Sequence, residues 1–181
     1  MSNRNSPERA AKAQRQEHGS SPRVEDPRAA RILITGMSGT GKSTVLTQLA
    51  ERGHHTVDTD YDGWVLSDGK WDEARMARLL ASARAVVVSG TVENQGRFYD
   101  RFDAVVLLSA PVEVLIDRVM RRSNNPYGRS ASDQAAIRRH VAEIEPLLRA
   151  GADLELDARL PVEALVAVVE ELLRSPEIRP G

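Results

Sequence analysis

Short apolar runs alternate with longer amphipathic segments along most of this chain. The apolar runs have the length of strands, and several are apolar on both faces, as buried parallel strands are. They lie at residues 32–35, 56–60, 85–89, 104–109 and 153–157. The amphipathic segments repeat their apolar residues at helical spacing. They lie at residues 42–53, 72–83, 111–122 and 160–174.

This alternation predicts the fold class. Strand, helix and strand in series imply right-handed crossovers and a parallel sheet covered on both sides. We therefore predict a three-layer α/β/α fold around a five-stranded parallel sheet. Residues 1–29 are too polar to bury an apolar face, so we expect a disordered tail there. The folded domain is predicted at residues 30–176, with a C-terminal tail at 177–181.

A glycine-rich stretch joins the first strand to the first helix. Residues 36–43 match the phosphate-loop pattern GxxxxGK[ST], in the strand-to-helix context that the pattern requires. Glycines let the backbone wrap around a phosphate, and the helix N terminus adds partial positive charge. Lys42 is expected to reach the β- and γ-phosphates, and the Ser43 hydroxyl to bind Mg²⁺. The predicted nucleotide-binding residues here are Gly36, Ser38, Gly39, Thr40, Gly41, Lys42, Ser43 and Thr44.

Two carboxylates lie at the end of the second predicted strand. Asp58 and Asp60 are two residues apart, so both would point to one side of a strand. The carboxyl ends of parallel strands face the crevice in which open sheets bind ligands. One carboxylate is suited to hold Mg²⁺ through water, and the other to orient or deprotonate an acceptor hydroxyl. The alternative is a solvated strand end before a turn at Asp62 and Gly63.

The stretch GMSGTGKST, followed by DTD, resembles the small P-loop kinases of the shikimate kinase and gluconate kinase type, relatives of the nucleoside monophosphate kinases. The resemblance covers about residues 31–174. It implies an adenylate-kinase-like P-loop fold with a small lid, and transfer of the γ-phosphoryl group of ATP to a hydroxyl or phosphate of a small-molecule acceptor, with Mg²⁺. It also implies that Asp58 assists Mg²⁺, that Asp60 contacts the hydroxyl to be phosphorylated, and that Lys42 and Asp60 are catalytic.

The polar segment after the third strand is expected either to line the acceptor pocket or to form an ordinary surface loop, non-helical in both cases. The resembled family has a glycine cluster here, with an arginine upstream for the acceptor's carboxylate. The candidate acceptor residues in this segment are Gly90, Asn94, Gln95 and Arg97. Tyr61 and Trp64 follow the acid pair, and they either form a stacking wall for the acceptor or pack in the core.

An arginine-bearing helix precedes a segment that contains proline and glycine. By resemblance, a lid at about residues 121–132 would close on ATP and exclude water. Arg118 would lie against the adenine, and Arg122 shares its helix face. Where shikimate kinases carry a catalytic arginine just before the lid proline, this chain has Asn125. Arg129 or Arg122 substitutes for it, unless both are solvated surface charges.

A second departure concerns the acceptor. Shikimate kinases use an arginine on the substrate carboxylate two residues before a proline, and Ile144 stands there in this chain. Shikimate itself is therefore not the expected acceptor. A sugar acid, a nucleoside or nucleotide, and an antibiotic-like natural product remain open. Residues 157–161 follow the fifth strand, where this fold cradles the adenine with backbone atoms.

Charge and composition narrow the partners. The 181 residues carry 25 Lys and Arg against 26 Asp and Glu, so no net field favours nucleic acid or an anionic membrane. No apolar run approaches the roughly 20 residues of a membrane span. We expect a cytoplasmic monomer or homodimer with a small-molecule partner. The four histidines, His18, His54, His55 and His140, show no metal-ligand spacing.

The sequence fits two other functional classes, a P-loop ATPase or switch and a nucleic-acid regulator, less well than it fits a kinase. A P-loop ATPase or nucleotide-dependent switch acting on a protein partner generally needs an aliphatic strand that ends in an acid. The candidate strands here end VVVSG and VLLSAP, although Asp58 on the second strand leaves the switch as the alternative. A nucleic-acid regulator needs a basic stripe, which the sequence lacks.

Overall fold

The computed structural model describes residues 30–121 and 130–175. The strands are β1 (Arg31–Thr35), β2 (Thr56–Asp58), β3 (Val86–Ser89), β4 (Ala104–Ser109) and β5 (Leu154–Asp157). The helices are α1 (Lys42–Glu51), α2 (Glu73–Ser82), α3 (Val112–Arg121), α4 (Ala131–Glu143), α5 (Glu145–Gly151) and α6 (Val162–Arg174). The predicted tails at 1–29 and 177–181 lie outside the described residues.

The five strands form one parallel sheet, in the order β2, β3, β1, β4, β5. Apolar side chains on one face, among them Ile32 and Ile34, belong to a core shared with α1 and α6. Those on the other face, among them Leu33 and Val105, pack with α2 and with aromatic side chains. This sheet with helices on both sides confirms the predicted α/β fold.

The strand order fixes where a ligand can bind. From β1 the chain runs outward to β2 and back through β3, then crosses β1 to reach β4. The connections leaving β1 and β4 therefore diverge to opposite sides at the carboxyl edge of the sheet. Open parallel sheets bind ligands at this kind of switch point. The glycine-rich loop at residues 36–43 lies there, between β1 and α1.

Two predictions of local structure were wrong. β2 ends at Asp58 and does not extend to residue 60, because the Asp60 N–H turns back to donate to Asp58 Oδ1 at 3.2 Å. The segment after β3 is not wholly non-helical, since residues Gln95–Arg101 form a 3₁₀ helix. The Gln95 side chain accepts a hydrogen bond from the Val92 N–H at 3.1 Å, which closes the turn before this helix.

The helices α4 and α5 were absent from the sequence prediction. Ile137 is the buried residue of α4, so the helix lacks the apolar stripe on which such predictions depend. A different signal marks its start. Ser130 accepts a hydrogen bond from the Asp133 N–H at 3.0 Å, and the Asp133 side chain accepts one from the Ser130 N–H, which together form a capping box.

An ion cluster ties the end of α1 to α6 and predicts a pH dependence. His54 and Arg52 lie 3.1 Å and 3.0 Å from the Glu170 carboxylate, and the His54 hydrogen bond is the main cause that lowers the pKa of Glu170. A lowered pKa stabilises the fold above the carboxyl's ordinary value of about 4.3, and this contribution is lost as the pH falls. In urea unfolding between about pH 6 and pH 3, Glu170→Gln should lose less stability than the wild type.

The neighbouring Glu171 provides the control, because its side chain is 59% exposed and pairs within its own helix. Glu171→Gln should follow the wild-type curve. A Glu170→Gln curve parallel to the wild type would contradict the stabilising role of the cluster.

Candidate active site

The phosphate loop requires glycine at positions where neighbouring backbone approaches closely. Gly36 has a φ of +146°, and a Cβ there would lie 2.3 Å from the carbonyl oxygen of Leu108 in β4. Gly39 has a φ of +91°, and its Cβ would lie 2.8 Å from the carbonyl oxygen of Leu115 in α3. The loop is therefore clamped between β4 and α3, and side chains at these two positions would force it open.

Lys42 crosses the loop from the first turn of α1. Its side chain is almost fully buried, and Nζ donates hydrogen bonds to the carbonyl oxygens of Gly36 at 2.6 Å and Met37 at 3.4 Å. The buried Thr40 hydroxyl donates to the same Met37 oxygen at 2.9 Å. The ammonium group is thus held inside the curve of the loop, where a phosphate chain would lie.

The acid pair lies on a tight turn and not on one strand face. Asp58 is the last residue of β2, and its carboxylate accepts the Asp60 N–H. Asp60 is exposed on the turn that follows. The expectation that strand geometry would bring the two carboxylates to one side was therefore wrong. They approach the loop through the turn and not through strand periodicity.

Thr59, between the two acids, anchors this turn and was missed by the sequence analysis. It is 1% exposed, and its hydroxyl donates to the Ser89 carbonyl oxygen at 2.8 Å while it accepts from the Trp71 indole N–H at 2.9 Å. A Cβ on Gly90 would lie 2.0 Å from the same hydroxyl oxygen. The turn is thereby locked to the end of β3.

We expect Thr59→Val to lower both stability and turnover. The substitution leaves the buried Trp71 N–H without its acceptor, which should lower the free energy of unfolding by about 1–3 kcal/mol. It also loosens the turn that carries Asp60, so kcat should fall. Urea denaturation followed by tryptophan fluorescence measures the first effect. Thr47→Val, on the exposed face of α1, should change neither quantity; equal behaviour of the two variants would contradict the anchoring role.

Two cavities open at the phosphate loop among the described residues. The larger cavity has a volume of about 450 Å³ and extends along α1 toward the segment after β5. It is lined by residues 38–45, Asp60, Tyr61, Arg118, Ala158, Leu160, Val162 and Leu165. The smaller cavity has a volume of about 250 Å³ and extends toward β3 and α4. It is lined by Gly36, Met37, Ser38, Lys42, Asp60, Thr91, Ile137 and His140.

The two cavities share Ser38, Lys42 and Asp60. A group bound in one cavity can therefore meet a group bound in the other beside one ammonium and one carboxylate. This arrangement fits the transfer of a group between two ligands better than the hydrolysis of one.

The sequence itself matches known families. A family profile described as an AAA domain matches residues 32–139. A shikimate kinase from Chromohalobacter salexigens is 33% identical over 166 residues, which cover 79% of this chain and 89% of the relative. The chain belongs to the small-molecule P-loop kinases.

Solved structures agree with this kinase fold. A shikimate kinase from Acinetobacter baumannii in complex with shikimate has a TM-score of 0.62 at 23% identity, over 82% of this chain and 94% of that one. A gluconokinase from Sinorhizobium meliloti has a TM-score of 0.54 at 20% identity, over 81% and 92% of the two chains. The resemblance stated from the motifs is confirmed. The kinase transfers a phosphoryl group from ATP to a small molecule, and the ATPase or switch is not favoured.

The kinase places Arg118 on the wall of the larger cavity. The guanidinium donates to the carbonyl oxygen of Ala158 at 2.9 Å and approaches that of Gly39 at 3.5 Å, so it joins the phosphate loop to the segment at residues 157–161. On the outer side of that segment, hydrogen bonds from Arg159 hold the pKa of Asp157 at about 2. The Asp157 carboxylate thus stays charged, and its pairing with Arg159 braces the segment.

A magnesium ion in this kinase would need oxygen ligands. Ser43, in the first turn of α1, and Asp58, at the end of β2, line one groove beside α1. A hydroxyl and a carboxylate are the hard ligands that Mg²⁺ accepts, with water and phosphate oxygens for the remaining positions. The described residues hold no cluster of three or more His, Cys, Asp or Glu side chains suited to a metal. These two residues therefore fit a metal bound together with a nucleotide.

Of the residues after β3 that were expected around the acceptor, some are buried in the protein and one lies on its surface. Asn94 and Gln95 are almost fully buried, and their side chains bind the protein itself. Asn94 accepts from the Trp71 main-chain N–H at 3.0 Å, and Gln95 donates to the Thr35 hydroxyl at 3.1 Å. Arg97 is 71% exposed and pairs with Glu73 at 2.7 Å. Together with Gly90, which packs on Thr59, these residues support the walls, and none of them lines either cavity.

The two aromatic candidates separate in the same way. Tyr61 is 57% exposed and lines the larger cavity. Trp64 is 8% exposed and belongs to the core beside α2, where Arg75 stacks over its ring at 3.9 Å. Of the two roles expected for Trp64, the structure supports packing in the core and not a stacking wall for the acceptor.

Thr91 belongs to the polar segment that the sequence offered as a possible wall of the acceptor pocket, and it lines the smaller cavity. Its hydroxyl donates to the Gly36 carbonyl oxygen at 2.8 Å and accepts from the Gly36 N–H at 3.2 Å, which ties the end of β3 to the start of the phosphate loop. Arg122, Arg129 and most of the predicted lid lie outside the described residues.

None of the helices within the described residues has the length and apolar character that a membrane crossing requires.

Proposed function

We propose that this kinase phosphorylates a hydroxyl group of a small acceptor that binds in the smaller cavity, with ATP in the larger one. The observation that carries the proposal is that Ser38, Lys42 and Asp60 border both cavities. The phosphoryl group would therefore be transferred from ATP to the acceptor beside the Lys42 ammonium group and the Asp60 carboxylate.

The chemistry assigned to the residues follows from their positions. Asp60 orients the acceptor hydroxyl and takes its proton, which then passes to water. The acceptor oxygen bonds to the γ-phosphorus of ATP as the bond to the β-bridging oxygen breaks, so that ADP leaves. Lys42 and the loop N–H groups stabilise the charge on the transferred group and on the leaving phosphate.

On the nucleotide side, the loop residues Gly36 to Thr44 would bind the phosphates, and Arg118 with the backbone at residues 157–161 would hold the adenine. Ser43 and Asp58 would hold Mg²⁺, which supplies charge neutralisation on the phosphates when bound. Arg129 or Arg122 would contact the transferred phosphoryl group, as the sequence suggested. Tyr61, which lines the larger cavity, remains a candidate contact for the acceptor.

The acceptor is not shikimate in this proposal. Ile144, in the position of the arginine that shikimate kinases use for the substrate carboxylate, has no charge to offer, and it does not line the smaller cavity. Arg97 is engaged with Glu73 on the surface. We also propose a cytoplasmic monomer or homodimer. Its balanced charge does not favour nucleic acid or an anionic membrane as a partner.

A mass-spectrometric screen tests the proposal. The full chain is incubated with ATP and Mg²⁺ and with sets of hydroxylated compounds that include sugars, sugar acids, nucleosides and aminoglycosides. We expect one compound class to gain a single phosphate while ADP accumulates in equal amount. Steady ATP hydrolysis with no phosphorylated compound would overturn the proposal and favour the alternative, an ATPase or nucleotide-dependent switch.

A further inference from the structure

The helix α4 forms part of the wall of the smaller cavity. Ile137 and His140 line the cavity from α4, and Asp60 and Lys42 line the same cavity from the acid turn and from α1. The sequence analysis assigned no role to His140, because its spacing from the other histidines does not suit a metal site. Its position in the structure gives it one.

The wall is held in place by contacts that do not involve His140. Ile137 is 3% exposed and packs with Ile116 and Val119 of α3. Arg138, on another face of α4, donates to both carboxylate oxygens of Glu113 at 3.0–3.1 Å. Because His140 lies three residues after Ile137, the packed isoleucine fixes the register that turns His140 toward the cavity.

The His140 imidazole is available for a ligand. The side chain is exposed, and the described residues provide it with no hydrogen-bond partner. The Thr91 hydroxyl on the adjoining wall is already bonded to Gly36 through both its donor and its acceptor roles. An imidazole side chain can donate one hydrogen bond and accept another, and so can a hydroxyl group of a ligand. The His140 imidazole is therefore suited to bind a ligand hydroxyl.

We propose that His140 determines acceptor specificity by binding a second hydroxyl of a polyhydroxylated acceptor whose first hydroxyl lies at Asp60. This inference rests on the proposed function, since it assigns a role to a further residue that lines the same cavity. The cavity of about 250 Å³ is smaller than the roughly 300–1,000 Å³ of sites for drug-sized ligands, which suits a small acceptor such as a polyol or sugar.

The test compares enzyme variants with acceptor analogues. The full chain is assayed with ATP and Mg²⁺ against hexoses, inositols and other uncharged polyols, and then against the monodeoxy analogues of the best acceptor. His140→Leu should raise the acceptor KM about 3- to 10-fold, the cost of one hydrogen bond, with the ATP KM within about twofold of the wild type. One deoxy analogue should be a poorer acceptor for the wild type and no poorer than the parent for His140→Leu.

Two further variants separate binding from structure. His140→Asn keeps a donor and an acceptor and should recover part of the acceptor affinity that His140→Leu loses. His55→Leu removes an exposed histidine before β2, away from the cavity, and should leave the KM for both substrates unchanged.

The outcomes distinguish this inference from the function on which it rests. If polyols are phosphorylated and His140→Leu leaves the acceptor KM and the deoxy discrimination unchanged, the role of His140 is overturned and the kinase assignment stands. If the screen finds transfer to acceptors of another class and to no polyol, the inferred acceptor class is overturned. Failure to bind ATP would overturn both proposals together.

Discussion

Lys42→Ala should remove phosphoryl transfer, with kcat/KM lowered by at least about a thousandfold. The ammonium group is the one described cation that borders both cavities, and it is held within the loop by the carbonyl oxygens of Gly36 and Met37. Its removal takes away the charge that stabilises the transferred phosphoryl group, and no water molecule can replace that charge. Coupled measurement of ADP release at saturating ATP gives the result.

The control for this variant is Lys70→Ala, which makes the same truncation in the surface turn before α2. It should keep full activity. Thermal unfolding of Lys42→Ala should still give a single cooperative transition, because the clamped glycines and not the lysine hold the loop against β4 and α3. Folded Lys42→Ala protein with more than a tenth of wild-type activity would contradict the assignment of this lysine to the phosphates.

Elements with strong patterns were predictable from the sequence. The strands β1, β3 and β4 are apolar on both faces, so they read as buried parallel strands, and the structure places them at the centre of the sheet. The phosphate loop was predictable because its chemistry fixes residue types at fixed spacing. The central strands and the phosphate loop are each specified by residues that are neighbours in the sequence, so both can be predicted without knowledge of the fold.

The details around the acceptor were not predictable, because they depend on contacts between distant segments. Thr59 carries no pattern of its own, and its role appears when the ends of β2 and β3 bring it to Trp71 and the Ser89 carbonyl. Polar residues such as Asn94 and Gln95 looked like ligand contacts, since a sequence does not show that their hydrogen-bonding groups are used inside the protein. His140 lies on α4, which has one buried residue and therefore no apolar stripe from which the helix could be predicted. Its place in the cavity wall could not be inferred before the fold was known.

The same contacts suggest why the acid turn can act on an acceptor. Thr59 and Trp71 fix the base of the turn to β3, while Asp60 at its tip stays exposed between the two cavities. A carboxylate on a rigid base keeps its place relative to the loop when substrates exchange. Preorganisation of this kind lets the base meet the hydroxyl without a separate ordering step.

Asp60→Asn should lower kcat at least about a hundredfold, because an amide neither takes the hydroxyl proton nor orients it by charge. The ATP KM should change little, since the loop and Lys42 remain intact. Asp58→Asn should behave differently. Its main effect should be a higher Mg²⁺ concentration for half-maximal rate, because Asp58 lines the groove with Ser43 and not the smaller cavity.

Asp62→Asn is the matched control for this pair. Asp62 lies two residues further along the same turn at a φ of +59°, a conformation that asparagine adopts readily, and it lines neither cavity. It should retain wild-type kcat and Mg²⁺ dependence. Normal turnover in Asp60→Asn would take the acceptor role from this residue, whereas equal loss in all three variants would mean that the turn as a whole, and not its central carboxylate, controls the rate.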